Sequence, residues 1–289
     1  MIIKRGRGLA TATVATAAVA VAGVVTGPGA TARPAVTGTA LVVTVNQAHG
    51  QMVITPSRTI PAGWVTFNYS AHKNDHTLQA VQLHSSYTVA QFEKDVRAGL
   101  EKSNLNAIHR LDNRVTWLGG TESRFGKLGR FTAKLPTGTV YLFDTESNAR
   151  AKLTVTSPAS TGAARYAQRT VTATKSMHWH SPTRLLEIGW LNIRNTSHQP
   201  HVLVVQRVDP DTTAAMVRAF IKSGSHHKPS WQRHSTVSSG VFSPGTKTQL
   251  HLRLPRGKYL LLCCWPSKKT GMPHYTMGMW KLVHLRRHL

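Results

Sequence analysis

Residues 63–83, GWVTFNYSAHKNDHTLQAVQL, lie over residues 189–207, GWLNIRNTSHQPHVLVVQR, with a gap of one or two residues. Val65 and Phe67 then match Leu191 and Ile193, an alternating strand in each copy, and His76 meets His201 at the head of a second strand. Twelve residues after each histidine comes a threonine, Thr88 or Thr213. Helical stretches start around it: VAQFEKDVRAGL in the first copy and DTTAAMVRAFIKSG in the second, where Asp211 is placed to cap the helix. Further on, LPTGTVYLFD (135–144) matches LPRGKYLLLC (254–263) without a gap. A chain that writes the same string of elements twice folds as two copies of one unit.

Each copy reads as short alternating strands broken by Gly, Pro and Asn turns, with one inserted helix. That pattern implies an all-β fold, an antiparallel sandwich or barrel made twice. The stretch SPASTGAARYAQR (157–169) is small, polar and without apolar periodicity, so it is expected to link a first domain at 38–156 to a second at 170–287. Trp64 and Trp190 hold equivalent places and are expected in the two cores.

The chain opens MIIKRGRG, continues through LATATVATAAVAVAGVVTG and reaches Ala30-Thr31-Ala32. A positive segment, a short apolar run and small residues in that order read as a secretory signal over residues 1–32. The apolar run is shorter than the roughly 20 residues a membrane-spanning helix needs, and threonine dilutes it, so a secreted, extracellular protein without a transmembrane segment is expected. Lys4, Arg5 and Arg7 are interrupted by a glycine, unlike a twin-arginine signal.

Thirty-six Lys and Arg against 11 Asp and Glu give a formal charge of +25. Such a surface meets polyanions readily, and outside a cell an anionic cell-envelope polymer or an acidic redox partner is the expected kind of partner. The basic residues are scattered in twos and threes, without the dense cluster that marks a specific nucleic-acid module.

Cys263 and Cys264 are the only cysteines and are neighbours, and a vicinal bridge is strained and closes almost no loop. That leaves a structural pair of thiols, an intermolecular bridge, or a metal ligand. On the strand from Gly257, Tyr259, Leu261 and Cys263 share one face, and the first copy carries Val140, Leu142 and Asp144 at those positions, so Cys263 is expected to point inward and Cys264 outward. His201, Leu203 and Val205 share a face of their own strand, while His274 and Met279 follow in the loop after the cysteines. Two imidazoles, a thiolate and a thioether form a soft donor set that suits copper better than magnesium or calcium.

In NTSHQPH (195–201), GKYLLLC (257–263) and HYTMGM (274–279), taken in that order over some 85 residues, the sequence resembles the cupredoxin, or blue-copper, family. It is most similar in kind to small secreted actinobacterial proteins with such domains. The resemblance implies two tandem Greek-key β-sandwiches and one copper in the second, held by His201, Cys263, His274 and, axially, Met279. It departs from the small blue copper proteins at one point: ten residues separate Cys263 from His274, where those proteins keep only a few. The first copy keeps His76, but Asp144 stands at the cysteine position and TESNARAKLTVT offers neither histidine nor methionine, so no metal is expected there.

Two other histidine pairs, His178 with His180 and His226 with His227, have no third ligand in view and are expected to be solvated or packed. The chain carries no His-Cys-His motif, serine elbow, HExxH or phosphate loop, so electron transfer rather than enzymatic turnover is expected. The competing expectation is a metal-free envelope protein that uses its basic surface.

Overall fold

A computed structural model describes residues 40–71, 75–124, 127–225 and 227–288. The segment 1–32, expected to be a secretory signal, and His226 lie outside the described residues. The first half runs β1 (Leu41–Ala48), β2 (Gln51–Thr55), β3 (Thr59–Pro61), β4 (Gly63–Ala71), β5 (Asp75–Leu83), α1 (Val89–Val96), α2 (Leu105–Arg114), β6 (Val115–Arg124), β7 (Gly129–Leu135), β8 (Gly138–Asp144) and β9 (Arg150–Thr156). The second runs β10 (Arg169–Ala173), β11 (Trp179–His180), β12 (Arg184–Leu186), β13 (Ile188–Asn195), β14 (His201–Val208), α3 (Ala214–Lys222), β15 (Gln232–Phe242), β16 (Lys247–Arg253), β17 (Gly257–Leu262) and β18 (Trp280–Arg286).

The two halves pair their strands in the same way. β1 lies parallel to β4 as β10 does to β13, β5 lies between β6 and β8 as β14 does between β15 and β17, and β3 runs parallel to β9 as β12 does to β18. The protein is accordingly all-β, in two layers. Residues that alternate along β4 and β14 turn apolar side chains between the layers: Val65, Phe67 and Tyr69 in one, Leu203 and Val205 in the other. Phe67 and Phe131 stack at 4.8 Å in the first half.

The halves are joined edge to edge. β7 pairs antiparallel with β16, with Phe131 opposite Leu250 and Thr132 opposite Gln249, and β6 meets β15 at Leu118 and Phe242. Equivalent strands meet one another, so the junction has an approximate two-fold character, and one eight-stranded and one ten-stranded sheet run through both halves. Pairing of this kind removes sheet edges that would otherwise be open to other chains. The segment 157–168 crosses the same seam: Arg165 donates from its backbone to Gln249 at 2.9 Å and from its guanidinium to Thr66 at 3.1 Å.

Three sequence expectations need correction. The second helix is capped by Thr213, whose hydroxyl accepts from the Met216 N–H at 3.2 Å, as Thr88 accepts from Gln91 at 3.2 Å. A cap stands two or three residues before the N–H it satisfies, and Asp211, two residues ahead of Thr213, is too far out to serve. The first half has two helices, not one: α2, capped by Asn104, buries Ala107, Ile108 and Leu111 and has no counterpart in the second half. Trp64 and Trp190 are half-buried rather than in the cores; Trp190 packs edge-on to His251, opposite it on β16, at 5.0 Å.

Candidate metal centre

β14 and β17 are neighbours, and Val204 lies opposite Leu262, which sets Leu203 across from Cys263 just beyond the end of β17. His201, two residues before Leu203 on the same face, therefore leans toward the cysteine. Pro200 fixes the backbone at the strand's start. Cys263 is fully buried and Cys264 is exposed.

The ten residues between Cys263 and His274 do not carry the histidine away. Residues 266–273 form a pinched excursion, with Pro266 and Pro273 bridged and the Ser267 N–H donating to Met272 at 2.8 Å. At its base the His274 N–H donates to the Trp265 carbonyl at 2.9 Å and the Tyr275 N–H to the Cys263 carbonyl at 2.8 Å. The imidazole thus returns beside the sulfur. A single 3₁₀ turn, His274–Met277, ends at Gly278, whose φ of 100° lies in the left-handed region that favours glycine. The chain then reverses, and Met279 donates its N–H to the His274 carbonyl at 3.1 Å and accepts from the Cys263 N–H at 3.2 Å. Its side chain is fully buried in the same apolar cluster as Cys263.

The atoms that converge are the Cys263 Sγ and both Nδ1 nitrogens. Sγ lies 3.5 Å from Nδ1 of His201 and 3.5 Å from Nδ1 of His274, and the two nitrogens are 3.0 Å apart. The point equidistant from the three is about 1.9 Å from each, close to a metal–imidazole bond of ~2.0–2.1 Å and inside a metal–thiolate bond of ~2.3 Å. All three residues are buried, and they are the one such group of His, Cys, Asp and Glu among the described residues. With Met279 beside them, they fit a single copper ion.

The surroundings prepare the donors. Burial first, and the His274 charge second, hold the His201 imidazole down to about 3, while burial alone holds His274 down to about 4. Both rings are neutral near pH 7, with a lone pair to offer. The Ser197 hydroxyl donates to Asn195 Oδ1 at 2.7 Å and lies 2.6 Å from His201 Nε2. That pattern assigns the ring proton to Nε2 and leaves Nδ1 free, the usual way an outer partner fixes a ligand's tautomer. Trp179 lies edge-on to the His201 ring at 6.2 Å. Burial pushes the Cys263 thiol up, opposed by the backbone N–H groups of Val202, 3.4 Å from the sulfur, and of Trp265. Metal binding must therefore displace the thiol proton. Nε2 of His274 is buried with no hydrogen-bond partner.

Of the other histidine pairs, His178 and His180 are exposed on either side of Trp179, which is itself buried, and His227 is exposed. Sequence reasoning passed over Ser197, Asn195 and Trp179. Ser197 stands four residues before His201 inside the quoted NTSHQPH, and Trp179 lies between two histidines that drew the attention instead.

No family model matches the chain, and no curated protein matches it either. Among solved structures the chain is similar to auracyanin A, a blue copper protein of Chloroflexus aurantiacus, at 17% identity over 40% of this chain and 98% of that one, with a TM-score of 0.31. It is similar to an auracyanin of Roseiflexus castenholzii at 17% identity over 40% of this chain and 94% of that one, TM-score 0.27. A copper nitrite reductase from Nitrosomonas europaea is similar over 86% of this chain and 95% of its own at 10% identity, TM-score 0.24. At such identities and scores the likeness says nothing about a metal, and the side chains of the centre are what bear on it.

Proposed function

We propose that this chain is a secreted electron carrier whose His201, Cys263 and His274 would hold one copper ion, with the Met279 thioether as a further, weak donor. The convergence of one sulfur and two Nδ1 atoms in a buried, apolar setting is the observation that carries this reading. A copper ion held in this way would supply one-electron chemistry.

The rest is done by the chain. Ser197 holds His201 in the tautomer whose Nδ1 points inward, and the Val202 and Trp265 N–H groups favour the thiolate that binding requires. Leu203, Phe242, Trp179 and Met279 keep water out, and the fixed turn at Gly278 leaves the ligands little room to move when the charge changes. Export is supported by the order of charges, apolar run and small residues over 1–32. An acidic redox partner or an anionic envelope polymer is supported by the surplus of 36 basic over 11 acidic residues.

The test is metal analysis and the visible spectrum of the full-length chain without its signal. One copper per chain with an intense thiolate-to-copper band is expected. A chain that takes up no copper at stoichiometric load defeats the proposal.

A further inference from the structure

Trp265 stands two residues after Cys263 and is buried, but its side chain is held by the other half of the molecule. Its indole N–H donates to Asp112 Oδ1 on α2 at 3.2 Å, and its ring meets Trp117 of β6 edge-on at 5.0 Å, with Phe92 behind Trp117 at 5.5 Å. A second contact of the ligand loop follows the same route: a Cβ at Gly271 would meet the Ser103 carbonyl at 3.4 Å and Leu105 at 3.5 Å, just before and within α2. At its backbone Trp265 touches both strong ligands of its loop, accepting the His274 N–H at 2.9 Å and turning its own N–H toward the Cys263 sulfur.

We propose that the first half is part of the metal centre: Asp112 and Trp117 are positioning residues that hold Trp265, and through it the separation of Cys263 from His274. The inference rests on the copper reading for its spectroscopic consequences but not for the clamp itself. Two observations set the contact apart from ordinary core packing. First, α2 is the element that the first half has and the second lacks, and it is through α2 that Asp112 reaches across to Trp265 in the ligand loop. Second, Asp112 is a costly residue to place there. Its Oδ2 is buried without a partner, and burial pushes its carboxyl up to about 6 despite the indole and Lys268. An apolar side chain would pack the site without that penalty, but it would give the indole nothing to bond. A buried acceptor fixes the rotation of the Trp265 ring, which shape alone leaves free to slide.

The test uses the full-length chain with four substitutions: Asp112→Ala, Trp265→Phe, Asp112→Asn, and Leu153→Ala, a core change in the first half away from the loop. The copper-loaded proteins are read by the position of the visible band and the reduction potential. The metal-free proteins are read by hydrogen exchange at the His274 amide. Asp112→Ala and Trp265→Phe are expected to move both band and potential and to speed exchange by about tenfold, as a local opening would. Asp112→Asn keeps an acceptor oxygen and should restore wild-type behaviour. Leu153→Ala should lower the melting temperature and leave band and potential alone. Wild-type band and potential in both Asp112→Ala and Trp265→Phe would overturn the proposal. If the wild type binds no copper, exchange decides: faster exchange at His274 in Asp112→Ala upholds the clamp while the copper reading falls, and unchanged exchange sinks the clamp as well.

Discussion

The same pole of the two halves holds the same histidine in opposite surroundings. His201 is the first residue of β14 and His76 the second of β5, the strand at the centre of each half, and each turns Nδ1 toward the equivalent position beside it on the neighbouring strand. In the first half that position is Asp144, opposite Leu78, and its carboxylate is 2.8 Å from the ring nitrogen. In the second it is Cys263. The residues across the other neighbouring strand differ too: Ser123 and Glu122 face His76 and Thr77, where Phe242 and Val241 face His201 and Val202. Asp144 is also fastened by its own turn, accepting from the Glu146 N–H at 3.0 Å and the Ser147 hydroxyl at 2.5 Å. A short turn that closes on the acid leaves no chain to bring in a second histidine. The lesson is that one histidine position supports either a satisfied polar pair or a metal ligand, and the loop that follows decides which.

The sharpest way to break the comparison is at the two equivalent acceptors. Cys263→Ser should abolish the thiolate-to-copper band outright and His201→Ala should weaken copper binding, whereas Asp144→Asn and the outward Cys264→Ser should leave the spectrum as it was. A band lost with Cys264→Ser but kept with Cys263→Ser would mean the strand's parity is reversed.

A smaller effect separates Glu122 from Val241. Burial, only partly offset by Arg124, raises the Glu122 carboxyl to about 7. A carboxyl whose folded value is raised stabilises the fold below its unfolded value, and that contribution is lost as pH rises through the folded one. Between about pH 4.5 and 7 this group should cost roughly 2–3 kcal/mol, and Glu122→Gln should remove that slope in denaturant unfolding followed across pH. An unaltered slope would show that the carboxyl finds water.

Asp144→Ala leaves His76 Nδ1 without its buried partner and should lower stability by roughly 1–3 kcal/mol, with no change at the metal. Chemical denaturation with copper present and absent separates the two. The helix caps should differ least between the halves: Thr88→Ala and Thr213→Ala should each cost about 1 kcal/mol, since both hydroxyls satisfy one N–H at the same place in a partly exposed helix. Thermal melts of the two variants that differ by several degrees would show that the helices are not equivalent.

The charge also divides unevenly. Residues 157–289 carry 19 Lys and Arg against Glu187, Asp209 and Asp211 alone, while residues 33–156 carry 14 against eight acids. If the proposed acidic partner exists, the half with the candidate metal centre carries the larger basic surplus to draw it.

Strand parity was readable in the sequence because a strand's side chains alternate whatever it pairs with, which is why Cys263 turned inward and Cys264 outward could be read from the order of residues alone. Copying made the repeat visible, and the softness of sulfur and imidazole singled out His201, Cys263, His274 and Met279. The helix α2 was missed because its signal, Asn104 before Leu105, Ile108 and Leu111, falls in a segment with no counterpart to compare. Other features depend on contacts that a linear pattern does not record. The return of His274 rests on a bridge between Pro266 and Pro273, and the seam of the sheets on pairing between β7 and β16. The hold on Trp265 comes from a carboxylate 153 residues away. Local sequence fixes which way a side chain points and what chemistry it carries; only the packed structure decides which distant group it meets, because that choice is made by the pairing of strand edges and the exclusion of water between them.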